Sequence, residues 1–214
     1  MAFASYSCVD DVLRKHRLRM VAEPTVTPAA DAPPFSEAFR AELELSMTDL
    51  SPGRSEIGSG EILLFPILRE VWKTYRQHLS LFSHEALDFD DDLCGYPDYF
   101  VCRVSEFGRI PEPPYLLVVE AKLDDFEKAW GQCLAEMLAA QKLNGAPDQP
   151  VYGIATNGKT WEFGVLLGNT FTQDPGAFAV STLDKLGQAL HAVFRACRDL
   201  ALAYTASASA NPLA

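Results

Sequence analysis

An α/β fold, with a mixed central sheet of about five strands flanked by helices, is predicted by three features of the sequence. Short runs rich in β-branched and aromatic residues recur at 97–104, 115–122, 150–156 and 160–167. Segments with apolar residues at helical spacing lie before, between and after them, at about 55–79, 126–143 and 181–204. One of these helices separates the run at 115–122 from that at 150–156, where it can carry the chain back to start a parallel neighbour.

Taken in order, residues 6–19 read as a short basic helix with Arg14, Lys15, Arg17 and Arg19 close together. Residues 24–34, with Pro24, Pro28, Pro33 and Pro34, form a loop that can be neither regular helix nor strand. Ser36 offers an N-cap for a helix over roughly 37–50, and Ser51-Pro52-Gly53 breaks it. The helix at 55–79 repeats Ile57, Leu64, Ile67, Leu68, Val71, Trp72 and Tyr75 along one side, and Pro66 inside it predicts a kink or a late start. Imperfect alternation over 80–89 reads as the first strand, and Asp88, Asp90, Asp91 and Asp92 as an acidic turn. The strands at 97–104 and 115–122 complete an antiparallel meander; Gly108–Pro114 between them is too proline-rich to pair. Asp124 or Asp125 caps the next helix, which carries Phe126, Trp130, Cys133, Leu134, Met137 and Leu138 and ends at Asn144-Gly145. Asn157-Gly158 is a two-residue hairpin turn. The last helix buries Leu183, Leu186, Leu190, Val193, Phe194, Cys197 and Leu200. The expected organisation is an N-terminal helical extension over 1–54 packed on a core over 55–180, a C-terminal helix over 181–204 and a flexible tail over 205–214.

The chain has 214 residues, 48% hydrophobic and 22% charged, enough apolar material for a single core. No apolar run reaches membrane-spanning length, so no membrane association is expected. The start, Met1-Ala2-Phe3-Ala4-Ser5-Tyr6, lacks the basic-then-apolar pattern of a secretory signal. Five scattered cysteines without a Cys-x-x-Cys pair indicate neither a zinc knuckle nor a disulfide framework, and point to a reducing, cytoplasmic setting. The net charge of −11 argues against a generic high-affinity DNA binder, which gains its affinity by neutralising phosphates. It does not exclude a nuclease, because the local field at a face matters more than the total and a metal site is itself acidic.

The chemistry-bearing residues concentrate between 98 and 122. Asp98 follows Pro97 at the head of one apolar run, and Glu120 and Lys122 flank Ala121 at the end of the next. If those runs are neighbouring strands, the three charges meet at one edge. Residues 120 and 122 share a face of a strand while Ala121 points the other way. Two carboxylates can hold a hard divalent cation, and an ammonium can sit beside its bound water. Other candidates are weaker. The Asp88–Asp92 stretch lacks the glycine and terminal glutamate of a calcium loop, Gly58-Ser59-Gly60 is not followed by Gly-Lys-Ser/Thr, and the four histidines show no ligand spacing.

Pro97-Asp98 followed by Glu120-Ala121-Lys122 resembles the PD-(D/E)XK nuclease superfamily, the restriction-endonuclease-like fold. Around them stand a helix bearing an acid (Glu61, or Glu56), a helix bearing Gln132, and the segment Val151–Phe163, which looks like the hairpin in the N-terminal nuclease domains of type I restriction subunits and their uncharacterised relatives. The resemblance covers about 55–167. It implies a magnesium site, with manganese as a substitute, formed by Asp98, Glu120 and the backbone carbonyl of Ala121, acting on DNA. Lys122 would orient the attacking water, assist its deprotonation or stabilise charge on the phosphate. Glu61 would reach the metal through water or hold Lys122, and Gln132 would steady the site or touch the nucleic-acid backbone. Restriction-like enzymes commonly cut as dimers, so a homodimer is compatible, with DNA bound weakly or through a partner protein. Two other readings stand beside this one: a nuclease-like module without activity, used for binding or assembly, and a hydrolase or transferase acting on a small phosphate ester.

Overall fold

The computed structural model describes residues 3–210. Met1, Ala2 and residues 211–214, on which the ends of the signal and tail expectations fall, lie outside the described residues. Seven strands make one mixed sheet: β1 (Arg19–Ala22), β2 (Leu79–Ser83), β3 (Tyr99–Arg103), β4 (Tyr115–Ala121), β5 (Val151–Thr156), β6 (Thr160–Leu167) and β7 (Thr170–Ala179), in the order β1-β7-β6-β5-β4-β3-β2. The meander β2-β3-β4 is antiparallel, and β4 and β5 run parallel across a helical crossover. The expected count of about five strands is corrected to seven, because β1 and β7 extend the far edge.

Both additions have physical reasons for escaping the pattern. β1 is four mostly exposed residues whose partner, β7, lies about 150 positions away, so no local periodicity marks it. β7 contains Asp174-Pro175-Gly176, which reads as a turn. Here it is a bulge: pairing with β6 jumps from Gln173↔Gly164 to Ala177↔Glu162. Asp174 holds the bulge by accepting the N–H groups of Gly176, Thr25 and Val26.

Helices cover both faces. α2 (Glu37–Asp49), α4 (Phe65–Trp72) and α6 (Leu183–Ala210) bury Leu43, Leu68, Val71, Leu190 and Phe194 against Leu117, Val119 and Ile154. On the other face, α1 (Val9–His16) and α5 (Phe126–Asn144) pack over Phe100, Val118 and Ala155. The alternation of Leu117, Val118 and Val119 between the faces is the strand period made visible. α5 is buried continuously from Ala129 to Gln141 because the sheet lies beneath it and the α1 segment above. A Cβ on Gly131 would stand 2.7 Å from the backbone nitrogen of Cys8, so glycine sets the approach of the two segments.

The helix expected over 55–79 is shorter and divided. α3 (Glu56–Ser59) leads into a π-helical turn, Gly60–Leu64, in which Phe65 N–H donates to the Gly60 carbonyl five residues back. Pro66, which has no N–H to give, follows that widened turn at the start of α4. The chain then turns, and the Trp72 indole donates to the Leu79 carbonyl at 2.7 Å, where β2 begins. The strand expected over 80–89 ends at Ser83, since His84 adopts φ 54°, outside the extended region. Residues 88–95 form a turn in which Asp90 accepts from Asp92 and Leu93 N–H and Asp88 from Gly95 N–H. α6 continues through the start of the expected tail to Ala210. Among the described residues, no helix is long and apolar enough to cross a membrane.

Replacing Gly131 with valine is expected to lower stability by about 1–3 kcal/mol, the usual cost of forcing extra atoms into a packed contact. Thermal denaturation reads this directly; an unchanged melting temperature would mean that α1 is not seated on α5.

Candidate active site

Asp98 immediately precedes β3 and Glu120 lies next to last in β4. The register pairs Tyr99 with Val119, so the next step sets Asp98 opposite Glu120. Directly opposed positions on antiparallel strands bring Cβ atoms to about 5 Å. Asp98 Oδ2 accepts the Ala121 N–H at 2.7 Å, which ties the loop before β3 to the end of β4. Lys122 N–H donates to the Thr156 carbonyl, anchoring the residue beside β5. Its Nζ then reaches back to Glu120 Oε1 at 2.6 Å and the Ala121 carbonyl at 3.0 Å, with Glu56 Oε2 at 3.8 Å. Asp98, Glu120, Ala121 and Lys122 are thus brought together.

A cleft of about 370 Å³ opens beside them, lined by Glu56, Glu61, Phe65, His84, Asp98 and Tyr99 among others. Glu61 lies in the π-helical turn and Glu56 one turn earlier, so both acids proposed for this helix reach the site: Glu56 faces Lys122 and Glu61 the cleft. Gln132 is on α5, buried, with Oε1 lacking a hydrogen-bond partner.

Three participants were missed by sequence reasoning. Glu136 is only 1% exposed, interacts by hydrogen bond with Glu120, and has no partner for Oε2. It follows Gln132 by one helical turn, and an acid inside the apolar run Cys133–Ala140 was the available signal. His84 Nε2 lies 3.4 Å from Asp98 Oδ1, and its backbone N–H donates to the Asp98 carbonyl. Tyr99 borders the cleft between Asp98 and Glu61, and burial followed by those two charges pushes its hydroxyl up to about 12.

The electrostatics are those of acids buried in excess of cations. Burial, then the charge of Asp98, pushes Glu120 up to about 7 against the pull of Lys122. Burial raises Asp98 too, opposed by the Ala121 N–H, Lys122 and His84. Glu136 is pushed well above the carboxylate range by its burial and by Glu120 and Asp98. Burial works to lower Lys122, but Glu120, Asp98 and Glu56 together hold it above the usual lysine range.

A hard divalent cation suits this donor chemistry: two carboxylates and a backbone carbonyl, in a pocket whose acids outnumber the ammonium beside them. Among the described residues, no group of three or more His, Cys, Asp or Glu side chains is gathered as a metal cluster. The candidate set is Asp98, Glu120 and the Ala121 carbonyl, and the Lys122 ammonium presently contacts two of those three. No protein-family model and no curated protein matches the chain.

Because the folded-state pKa of Glu120 is raised to about 7 from 4.5, the folded chain holds more protons than the unfolded one between those values. That group therefore lowers stability as pH rises through the window. The melting temperature of Glu120→Gln minus that of wild type should be more positive at about pH 8 than at about pH 5. An equal shift at both pH values would show that Glu120 is not held in its neutral form.

Proposed function

We propose that this chain is a metal-dependent nuclease that hydrolyses DNA phosphodiester bonds, built on the PD-(D/E)XK, restriction-endonuclease-like plan. The observation that carries the reading is the opposition of Asp98 and Glu120 across β3 and β4, with the Lys122 ammonium on the same site and a cleft beside it. Asp98, Glu120 and the Ala121 carbonyl would hold Mg²⁺, or Mn²⁺ in its place, whose contribution is a more acidic bound water and offset charge at the phosphate. Lys122 would place a positive charge where the phosphate oxygens would lie, orient the attacking water or assist its deprotonation. Glu120, with Asp98 and Glu56, holds that ammonium in its charged form. Glu61 lines the approach, and Gln132 offers an unspent carbonyl oxygen on the helix that buries Glu120. The five free cysteines accord with a reducing, cytoplasmic setting.

A second reading, a nuclease-like module used for binding or assembly, is favoured by two observations. Lys122 already engages both Glu120 Oε1 and the Ala121 carbonyl, and the net charge of −11 leaves any DNA affinity local or dependent on a partner protein.

Purified protein is expected to nick supercoiled DNA with Mg²⁺ or Mn²⁺, and Asp98→Ala or Lys122→Ala to reduce the rate by about 100-fold or more. Melting temperatures are expected to show that both variants remain folded. Nicking that survives in both variants would exclude these residues as its source, and no nicking under any metal would favour the binding module.

A further inference from the structure

A second groove, of about 750 Å³, runs along the outer side of β2. Among the described residues β2 is the last strand of the sheet, and no described strand covers that edge. Trp72, Arg76, Leu79, Leu81, Phe82 and Arg109 are among the residues that line it. Phe107, on the same loop as Arg109, is 78% exposed. Three properties distinguish this groove. Its lining residues include two arginines and no carboxylate, in a chain of net charge −11. Neither Arg76 nor Arg109 is ion-paired among the described residues. The groove also comes close to the candidate active site along the chain: Phe82 lines the groove, and the next residue, Ser83, lines the cleft beside Asp98.

The direction of β2 supports the connection. Ser83 pairs with Tyr99, next to Asp98, whereas Leu79 pairs with Arg103 at the other end. A polymer lying along the strand from Leu79 to Ser83 would cross roughly 13 Å and arrive at the acids. Unpaired cations aligned with half-buried and exposed aromatic rings suit a chain of phosphates carrying stackable bases, because every base has a π-face and every linkage a negative charge. A bare edge strand alone would equally suit an added peptide strand, but a neutral peptide gives no reason for two unpaired arginines or for the nearness of the acids at the Ser83 end.

We propose that the β2 groove holds an unpaired strand of nucleic acid, with Arg76 and Arg109 on its phosphates, and leads it to Asp98 and Glu120. This rests on the nuclease reading and adds to it the form of the substrate and its path.

The test is fluorescence anisotropy of a labelled oligothymidylate with the full chain in EDTA, beside a duplex hairpin with the same number of phosphates, followed by cleavage of both with Mn²⁺. Both arginines are exposed, so the double variant Arg76→Ala, Arg109→Ala should keep the wild-type melting temperature. It should bind the single strand about tenfold or more weakly, and the slope of log affinity against log salt should fall by about 1.4, from roughly 0.7 per phosphate contact. The wild type should prefer the single strand to the hairpin. Arginine-dependent binding without any cleavage would uphold the groove and sink the catalytic reading instead. Cleavage and binding unaltered in the double variant would overturn the groove and leave the nuclease reading standing. Preference for the hairpin, or arginine-dependent binding of polyglutamate in place of the oligonucleotide, would also overturn it.

Discussion

The contact on which the site depends is the ammonium of Lys122 held between Glu120 Oε1 and the Ala121 carbonyl. Without it, Glu120, 3% exposed, would stand beside Asp98 and Glu136 with no adjacent cation on its own strand. The contact does not fully satisfy the acids, however. Glu120 remains raised to about 7, and Glu136 and Gln132 keep oxygen atoms without partners. A stable interior would satisfy these groups or dispense with them. Their retention together, next to the cleft that Asp98 and Ala121 line, is the pattern of a site arranged for an external charge.

The surrounding architecture serves the same end. The π-helical turn at Gly60–Leu64 carries Glu61 to the cleft, and Ser59 just before it donates to the Asn157 carbonyl in the β5–β6 turn. His84 takes a left-handed conformation at the end of β2, where its ring stands against Asp98 and its N–H donates to the Asp98 carbonyl. A π-helical turn and a positive φ at a residue other than glycine both cost free energy, and here both border one cleft. Ser83 at the end of β2 lines this cleft, and Leu79–Phe82 of the same strand line the arginine-bearing groove.

Much of the site was legible because its residues are close in sequence and their periodicity is simple. The alternation through Glu120, Ala121 and Lys122 sets their directions, the apolar runs set β3 and β4, and Asn157-Gly158 sets the β5–β6 turn. What escaped depended on distant pairing. β1 finds its partner only when β7 arrives, and Pro175 reads as a break although the sheet accepts it as a bulge. Glu136 was hidden because an acid on a helix is ordinarily solvated, whereas α5 is buried from Ala129 to Gln141 and this acid meets Glu120 of the sheet. The choice between Glu56 and Glu61 was posed as a competition, whereas the widened turn between them brings both to the cleft by different routes.

The central claim is that Asp98 and Glu120 form one shared anionic site for a divalent cation. Calorimetric titration with Mn²⁺ tests it most directly. The account predicts saturable binding at or below millimolar metal at about pH 8, weaker at about pH 6 where Glu120 takes up a proton, and lost in Asp98→Asn. Absence of binding at millimolar Mn²⁺, or equal binding by Asp98→Asn, would contradict it.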